Sequence, residues 1–416
     1  MSLLNAITIS IGDELLSGKT IDSNNAFISR QLGDIGIVVS KKLIIGDVNE
    51  NIKKALKWSL NEADVVTITG GLGPTHDDIT KTALCEYFGV GLKTYPDLLE
   101  QLKERFAKRG LAFAQSNISQ AEYPENARLL MNSKGTAQGM YFFHEQTHLF
   151  VMPGVPAEMR AITTEHIIPM LSDLTGAITE FVDIHSNGVP ESKLYELTKP
   201  ILDEYPKAKV AYLPKHFIVT IRVSFDSNFK GENTGKLNDI YARISDLLPA
   251  NIFGRDEDSL SSVVGRVLKM NGATVATAES CTGGLIASMI TDISGSSDYF
   301  NTGYVTYANE TKMAILGVKE DTLIKHGAVS EETVSEMLSG TLAKSGADYA
   351  IAVSGVAGPT GGSEEKPVGT VYIGVADHEQ QQIKRFQFGT DRVLNKIISA
   401  QTALNMLRIF IAGQLS

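Results

Sequence analysis

The sequence predicts an α/β protein of several domains, and three observations lead to this fold class. The chain has 416 residues, which at roughly 150 residues per domain corresponds to two or three domains. Short β-branched runs alternate with segments of helical spacing on both sides of a differently patterned middle segment. Hydrophobic residues make up 43% and charged residues 21% of the chain, as in ordinary globular domains, so extended disorder and fibrous repeats are not expected.

The first segment, residues 1–170, alternates strands with helices. Strands are predicted at Ala6–Ile11 and Ile37–Ile45, with a helix at about Asn24–Leu32 between them. The strand at Asp64–Thr69 is continuously apolar, as expected of a strand buried on both faces of a parallel sheet. The segment therefore predicts a doubly wound sheet with ligand loops at the carboxyl ends of its strands.

The two following segments differ from each other. Residues 171–256 contain the alternating strand FIVTIRVSF and one amphipathic helix, which predicts a small α+β domain. In residues 257–416 the α/β rhythm returns, with strands expected at Thr274–Ala278, Gly303–Tyr307 and Tyr349–Val353. The sequences ADVVTITGGLGPT and ADYAIAVSGVAGPT echo each other, which we attribute to two parallel strands that each precede a ligand loop.

Composition restricts the functions that the chain can have. The net charge of −10 disfavours broad attraction to nucleic acid or anionic lipid. No apolar run approaches the roughly 20 residues that span a bilayer, and the N-terminus lacks the basic region of a secretory signal. Two distant cysteines, Cys85 and Cys281, exclude a disulfide framework and fit a reducing compartment. We expect a cytoplasmic protein that binds neither nucleic acid nor membrane.

The segment Gly12–Thr20 (GDELLSGKT) is similar to a phosphate-binding P-loop but differs from one in spacing. Five residues separate its glycines where the motif requires four. Two of them, Asp13 and Glu14, would repel phosphate. At the end of the first strand these carboxylates could instead hold a divalent metal.

The segment TGGLGPTHDDIT follows the buried strand at Asp64–Thr69. Gly70, Gly71 and Gly73 let backbone amides approach a ligand, and Asp77 and Asp78 are oxygen donors suited to Mg²⁺. A helix is expected to begin near 77–80, and its first amides favour anions. The structural alternative is a turn in which one Asp caps that helix.

Two further loops are candidates for the same site. In PGVPAEM (153–159), Glu158 is the functional candidate, and the alternative is a rigid proline turn into a helix. The glycine loop NSKGTAQG (132–139) is a candidate of equal weight for this site.

The densest signal in the last segment is TAESCTGGL (277–285). The amides of Thr282, Gly283 and Gly284 could form a nest for an oxyanion or phosphate. Ser280, Cys281 and Thr282 are adjacent nucleophile candidates, although a lone cysteine is more often a packed apolar residue. Since no Ser–His or Cys–His pattern is present, a serine would need another base, such as a lysine with a lowered pKa.

Lys312 and Tyr307, in GYVTYANETK, are the nearest partners, and their alternatives are a solvated lysine and a ring at the core edge. The glycine-rich loop 354–370 is expected to line the site through Gly355, Ala357 and Gly358. Arg392 could clamp a phosphate or form a surface ion pair. The segment SGSS (294–297) is a rival nucleophile site.

These motifs, in this order, closely resemble the competence/damage-inducible CinA family, along essentially the whole chain. The resemblance rests on GDELLSGKTIDSN, TGGLGPTHDDIT, PGVPAEM, TAESCTGGL and VSGVAGPTGG with KPVGTV. It implies an N-terminal MoaB/MogA-like domain (1–170), a small KH-like α+β linker domain (171–256) and a C-terminal PncC-like domain (257–416). Members of the family are typically homodimers.

The resemblance also implies two hydrolytic activities. The first domain would split ADP-ribose into AMP and ribose 5-phosphate with a divalent metal such as Mg²⁺ or Co²⁺, held by Asp13, Glu14, Asp77 and Asp78. The last domain would convert nicotinamide mononucleotide to nicotinate mononucleotide and ammonia without a cofactor. Ser280 would be its nucleophile, Tyr307 and Lys312 would activate it, and Arg392 would lie near the substrate phosphate.

Two other functions remain open at this point. The N-terminal domain could bind a pterin or nucleotide and only regulate a single deamidase. A DNA-uptake or repair scaffold follows from the family name alone, and the negative charge and the lack of a basic stripe oppose it. The small middle domain lacks the GxxG loop with which KH domains clamp a nucleic-acid backbone, so we expect a spacer or dimerisation element.

Overall fold

The computed structural model describes residues 4–75, 78–108, 110, 112–175, 178–227 and 231–413. Two compact units divide the chain. The first comprises residues 1–180 and 226–233, and the second comprises residues 181–225 and 234–416. The grouping of residues 181–225 with the C-terminal part differs from the three-domain scheme of the sequence, whose boundaries stay a prediction.

The first unit contains a six-stranded sheet in the order β2-β1-β3-β8-β7-β6, with a separate β4-β5 ribbon. Its strands are β1 (Asn5–Ile11), β2 (Val38–Ile45), β3 (Val65–Thr69), β4 (Leu92–Thr94), β5 (Glu122–Pro124), β6 (Arg128–Leu130), β7 (Gly139–His144) and β8 (Thr147–Met152). Its helices are α1 (Asp13–Leu16), α2 (Ser23–Asp34), α3 (Asn49–Glu62), α4 (Thr80–Phe88), α5 (Pro96–Lys108), α6 (Pro156–Ile162) and α7 (Ile168–Ser172), with a 3₁₀ turn at Gln115–Ala121 and a π turn at Thr163–Ile167.

The four strands β2, β1, β3 and β8 of this sheet are parallel, and β7 and β6 are antiparallel to their neighbours. Alternate residues of the strands enter two separate apolar clusters. Ile7 and Ile68 belong to one cluster, while Ala6 and Val65 belong to the other. Because successive side chains of a strand point to opposite faces, both faces of the sheet are covered, as the continuous apolar run at 64–69 predicted.

The second unit contains a four-stranded sheet in the order β10-β11-β9-β12 and a five-stranded sheet in the order β14-β13-β15-β16-β17. The strands are β9 (Ile178–Asn187, which begins in the first unit), β10 (Lys209–Lys215), β11 (Ile218–Ser227, which ends in the first unit), β12 (Ile252–Arg255), β13 (Val275–Glu279), β14 (Phe300–Val305), β15 (Tyr349–Gly355), β16 (Thr370–Ala376) and β17 (Gln381–Gln387). The helices are α8 (Glu191–Leu202), α9 (Thr234–Leu247), α10 (Leu260–Asn271), α11 (Leu285–Thr291), α12 (Asn309–Leu316), α13 (Glu320–His326), α14 (Glu331–Ser345) and α15 (Arg392–Ile411), with a 3₁₀ turn at Ser296–Asp298.

In the five-stranded sheet β14, β13 and β15 run parallel, whereas β16 and β17 continue it in antiparallel fashion. The central strand β15 contributes Ile351 to an apolar cluster with α10, α11 and α15, and Ala350 and Ala352 to another with α14. The carboxyl ends of β13 and β15 therefore open side by side at one edge of the sheet. A candidate functional site of the second unit lies at this edge.

The predicted α/β class is confirmed, while the KH-like character of the middle segment stays a prediction. The strand expected at Gly303–Tyr307 is β14, which ends two residues earlier, at Val305. After β13 a turn precedes α11, which begins at Leu285. Across the residues that the structure describes, no helix is both long and apolar enough to cross a membrane.

Candidate functional site

A cavity of about 270 Å³ lies at the carboxyl ends of β13 and β15. Ser280 follows the last residue of β13, and Lys312 lies one turn into α12. The Nζ atom of Lys312 is 3.1 Å from the Oγ atom of Ser280. Both residues line the cavity, so the two groups that the sequence placed 32 positions apart are in direct contact.

The amine of Lys312 has an unusual environment, because its side chain is only 1% exposed and faces neutral oxygens. It donates to the carbonyl of Thr306 (2.8 Å) and to that of Tyr307 (3.3 Å). Burial lowers the pKa of Lys312 from its ordinary value. Within the described ranges no carboxylate forms an ion pair with it.

These contacts fit the neutral form of the amine. Carbonyl oxygens can only accept hydrogen bonds, so they engage the two N–H bonds of a neutral amine. In that neutral form the lone pair is left for the third neighbour, the hydroxyl of Ser280, to which a protonated amine would donate instead. This is the arrangement of a general base with its nucleophile.

The neighbouring Cys281 is a poor rival nucleophile. Burial, followed by the charge of Glu279, raises the pKa of its thiol to about 12. A thiol reacts as its thiolate, so Cys281 stays unreactive at neutral pH. The other rival, SGSS at 294–297, does not contribute to the cavity wall, and Ser296 lies in the 3₁₀ turn at Ser296–Asp298.

The turn between Ser280 and α11 is held by Glu279, whose side chain is 1% exposed. Its carboxylate accepts the amides of Gly284 (3.0 Å), Ile286 (3.1 Å) and Ala287 (2.8 Å). The amide of Gly283 donates to the carbonyl of Ser280. A buried carboxylate thus satisfies the first amides of the helix, which no residue caps in the usual way.

This network corrects the predicted nest. The amides of Gly283 and Gly284 are already used inside the protein, and neither glycine lines the cavity. Thr282 is fully buried and does not line it either. The sequence could not reveal this, because a glycine turn that serves a ligand and one that serves a buried carboxylate have the same residues.

Tyr307 and Arg392 form a pair at the cavity wall. Arg392 donates from Nη2 to the hydroxyl of Tyr307 (2.7 Å) and from Nη1 to the carbonyl of Gly358 (2.8 Å). The side chain of Tyr307 is 57% exposed, and no hydrogen bond between its hydroxyl and Ser280 or Lys312 occurs in the described structure. The hydroxyl therefore keeps its own proton free for a ligand.

The glycine-rich loop after β15 lines the cavity through Gly355, Ala357 and Gly358, as predicted. Its glycines are also required by packing. A Cβ at Gly355 would lie 2.9 Å from the carbonyl oxygen of Thr370, and one at Gly358 would lie 2.4 Å from a methyl group of Val368. Neighbouring residues leave no room for side chains at Gly355 and Gly358, so glycine is needed there for the loop to pack at the cavity wall.

A larger cavity of about 600 Å³ lies at the strand ends of the first unit. All predicted residues of this region that the structure describes line it; they are Asp13, Glu14, Gly70, Gly71, Gly73, Asp78 and Glu158. Asp77, the fourth predicted metal ligand, lies outside the described residues. The P-loop alternative finds no support, because residues 13–16 form a short helix and Lys19 does not line the cavity.

Asp47 is a residue that the sequence analysis missed. It lines the cavity and accepts the amide of Asp13 at 3.1 Å. Burial raises its pKa, and the charges of Asp13, Glu14 and Asp78 add to the effect. A signal was present, since Asp47 follows the second strand as Asp13 follows the first, and β1 and β2 are parallel neighbours.

The acidic residues of this cavity have the chemistry of a hard divalent metal site, but they do not converge. Among the residues that the structure describes, no three carboxylate, His or Cys side chains are close enough to hold one ion. Asp78 instead accepts from the amide and hydroxyl of Thr75. The donor set therefore fits a cation by charge and hardness, and only in part by geometry.

Glu158 is the remaining predicted acidic residue of this cavity. Burial raises its pKa, while a hydrogen bond from Asn132 (2.9 Å) favours the ionised form. A Cβ at Gly135 would overlap its carboxylate. The loop 132–139 thus closes over Glu158, and it contributes Thr136 and Ala137 to the cavity wall.

Comparisons with known proteins match both units. The family model described as probable molybdopterin binding domain matches residues 7–173, and the CinA C-terminal domain model matches residues 257–411. The CinA-like protein of Chloroherpeton thalassium is 42% identical over 413 residues, covering 96% of this chain and 97% of the relative. That of Syntrophomonas wolfei is 39% identical over 406 residues, covering 97% and 98%. The crystal structure of competence/damage inducible protein CihA from Agrobacterium tumefaciens is 41% identical, covers 37% of this chain and 93% of its own, and gives a TM-score of 0.36.

Proposed function

This chain belongs to the CinA family, and on that premise we propose that its C-terminal part hydrolyses the carboxamide of nicotinamide mononucleotide. The products are nicotinate mononucleotide and ammonia. The contact of 3.1 Å between Lys312 and Ser280 carries the proposal. No cofactor takes part, because a serine, a neutral amine and water suffice for amide hydrolysis through an acyl-enzyme.

The reaction begins with the attack of the Ser280 hydroxyl on the carboxamide carbon. Lys312 accepts the hydroxyl proton in its neutral form, because the two carbonyls then engage its two N–H bonds and its lone pair is left for Ser280, 3.1 Å away. The C–N bond of the tetrahedral intermediate then breaks, and the leaving nitrogen takes a proton and departs as ammonia. The proton that Lys312 took from Ser280 passes to that nitrogen, relayed by the hydroxyl of Tyr307, which accepts from Arg392 and retains a hydrogen of its own to pass on, and Lys312 is neutral again for the next step.

Water completes the cycle. Lys312 takes a proton from the water that attacks the acyl-enzyme, and the serine leaves with a proton from the lysine. The amide of Gly283 donates to the carbonyl of Ser280, so we assign the stabilisation of the oxyanion to the amide of Cys281, which lines the cavity in the same turn.

The decisive experiment is the substitution Ser280→Ala with nicotinamide mononucleotide as substrate. We expect ammonia release to fall to the background level, because the nucleophile is removed. Cys281→Ala is the matched control and should retain activity, since its thiol is buried and protonated. Undiminished release by Ser280→Ala would refute the assignment.

For the N-terminal part we propose metal-dependent hydrolysis of ADP-ribose to AMP and ribose 5-phosphate. Asp13, Glu14, Asp47 and Asp78 provide oxygen donors along one cavity, and Asp77 is the remaining proposed ligand. A bound divalent ion would neutralise the pyrophosphate and activate water. The glycines at 70, 71 and 73 line the same cavity beside these acids.

The test of this activity is treatment with a chelator. We expect AMP formation from ADP-ribose to stop and to return with added Mg²⁺ or Co²⁺. Full activity of the chelated protein would exclude a metal role. The competing function, a pterin- or nucleotide-binding regulatory domain, is favoured by the match to a probable molybdopterin binding domain. It would appear as saturable binding of ADP-ribose with no AMP formed.

We retain the homodimer and the cytoplasmic location as proposals that follow from family membership. The partners proposed for both sites are small nucleotides, and the net charge of −10 argues against nucleic acid. Light scattering of the full chain would test the dimer directly.

A further inference from the structure

The loop after β15 contains a backbone amide that the protein itself does not use. The amide of Ala357 has no acceptor in the part of the chain that the structure describes. Ala357 is only 5% exposed and lines the cavity that contains Ser280 and Lys312. Because buried residues rarely leave an N–H group without an acceptor, such a group at a cavity wall indicates that a ligand atom accepts from it.

The hydrogen bonds between β15 and β16 fix the direction of this amide. Just beyond the paired residues of β15, Val356 donates its amide to the carbonyl of Thr370 and accepts the amide of Gly369, both at 2.8 Å. Both backbone groups of Val356 therefore face β16. In a trans peptide unit the carbonyl and the following N–H group point in opposite directions, so the N–H group of Ala357 points away from β16.

The side away from β16 is the side of β13, because β15 lies between these two strands. Ser280 directly follows β13, and its amide donates to the carbonyl of Val353 in β15 at 2.9 Å. The turn that carries the nucleophile is thus joined to β15 a few residues before Ala357. The amide of Ala357 points to the side of the sheet on which Ser280 lies.

Asn395 of α15 holds the other end of Ala357. Its side chain is 1% exposed, and its Nδ2 atom donates to the carbonyls of Ala357 and Gly389, each at 2.9 Å. The peptide units before and after Ala357 are therefore both anchored, one to Gly369 and the other to Asn395. A donor that is fixed before the reaction stabilises a developing charge without having to reorient.

We propose that the amide of Ala357 is a second oxyanion donor in the deamidase reaction, with Asn395 as its positioning residue. The inference rests on the proposed deamidase function. When Ser280 attacks the carboxamide carbon, an electron pair of the carbonyl bond moves to the oxygen. This oxygen becomes the acceptor that the amide of Ala357 lacks. The amide of Cys281 lies in the turn after β13, so the two donors come from the ends of neighbouring strands.

The test removes only the donor. Replacement of Ala357 by lactic acid during in vitro translation of the full chain turns the amide into an ester and keeps the methyl side chain. We expect kcat for nicotinamide mononucleotide to fall about a hundred- to a thousandfold, while KM changes less than about threefold, because the donor acts on the transition state. Glycolic acid at Gly362, an exposed residue of the same loop outside the cavity wall, is the matched control and should change neither constant.

A second measurement does not depend on the fraction of folded protein. In the aldehyde analogue of the substrate CHO replaces the carboxamide. Ser280 adds to its carbonyl carbon, the hydroxyl proton passes to Lys312, and the carbonyl oxygen becomes an oxyanion. We expect the inhibition constant of this analogue to rise about a hundredfold in the ester protein and about tenfold in Asn395→Ala. The analogue with hydrogen in place of the carboxamide should change less than about threefold in both.

Asn271→Ala is the matched control for Asn395→Ala, because the Asn271 amide also donates to a carbonyl but lies at the exposed end of α10. Unchanged kcat and an unchanged aldehyde constant in the ester protein would overturn the role of Ala357. Equal rises for both analogues would overturn it as well, since the amide would then serve binding in general. Unchanged constants in Asn395→Ala would overturn the positioning role. Absence of ammonia from the wild-type protein would instead refute the deamidase function itself.

Discussion

The two cavities are built on the same plan and differ in how far their functional groups converge. In each unit a central parallel strand, β3 or β15, ends in a glycine loop that lines a cavity. In the C-terminal cavity the amine of Lys312 touches the hydroxyl of Ser280. In the N-terminal cavity the carboxylates share one wall, yet no three described metal-ligating groups are close enough to hold an ion.

The difference follows from the charges involved. A neutral amine and a hydroxyl attract each other by a hydrogen bond, so folding alone can bring them together. Carboxylates repel one another, and the charges of Asp13 and Glu14 contribute to the raised pKa of Asp47. Folding of the chain alone therefore places the functional groups of the C-terminal cavity. The N-terminal cavity has the acidic residues of a site that a bound cation would draw together.

The largest expected effect concerns the base. Lys312→Met should lower deamidase activity about a thousandfold, because the general base is lost while a similar apolar volume is kept in a buried site. Lys312→Arg should be as inactive, since a guanidinium stays protonated and cannot accept the serine proton. The measurement is ammonia release by the full chain, with ADP-ribose hydrolysis assayed in the same preparations.

Two controls make this result specific. Lys325→Met, at an exposed position of α13, should leave the deamidase unchanged. The N-terminal activity should be unaffected in every variant if the two cavities act separately. A Lys312→Arg enzyme that keeps a tenth or more of wild-type activity would show that Lys312 is not the base.

The strands with their glycine loops and most cavity residues could be predicted from the sequence, because a buried parallel strand followed by glycines usually leads into a ligand-binding loop. For Ser280 and Lys312, the sequence predicted only that the two strand ends before them lie close together. It did not predict the direct contact of their side chains. The outcome at Gly283 and Gly284 could not be predicted, since the amide of Gly284 donates to Glu279, a residue with no distinguishing pattern, and the amide of Gly283 donates to the carbonyl of Ser280. Asp47 was missed for a similar reason, because its role depends on the pairing of β1 with β2.

A smaller effect should follow from Glu279→Gln. The amide nitrogen of Gln would face backbone N–H donors, so at least one of the three hydrogen bonds is lost from a buried position. We expect the free energy of unfolding to fall by about 1.5–3 kcal/mol. The displaced turn should reduce kcat about tenfold. Urea unfolding and steady-state kinetics measure the two effects.

The exposed Glu320→Gln in the first turn of α13 is the matched control and should leave both quantities unchanged. Loss of stability with normal kcat would mean that Glu279 caps the helix without positioning Ser280.

The smallest expected effect concerns Asp47 in the N-terminal cavity. The pKa of Asp47 is raised in the folded protein, so its ionised form costs stability at neutral pH. Asp47→Asn should therefore increase the free energy of unfolding, by less than about 1 kcal/mol because the group is partly exposed to solvent. The gain should fade as the pH falls through the raised pKa, where the wild-type carboxyl becomes neutral as well. The same variant should lower ADP-ribose hydrolysis about tenfold and leave ammonia release unchanged, while Asp97→Asn at an exposed position of α5 should alter neither activity. A destabilised Asp47→Asn protein would mean that its hydrogen bond to Asp13 outweighs the repulsion, and the contrast between an attractive and a repulsive site would fail.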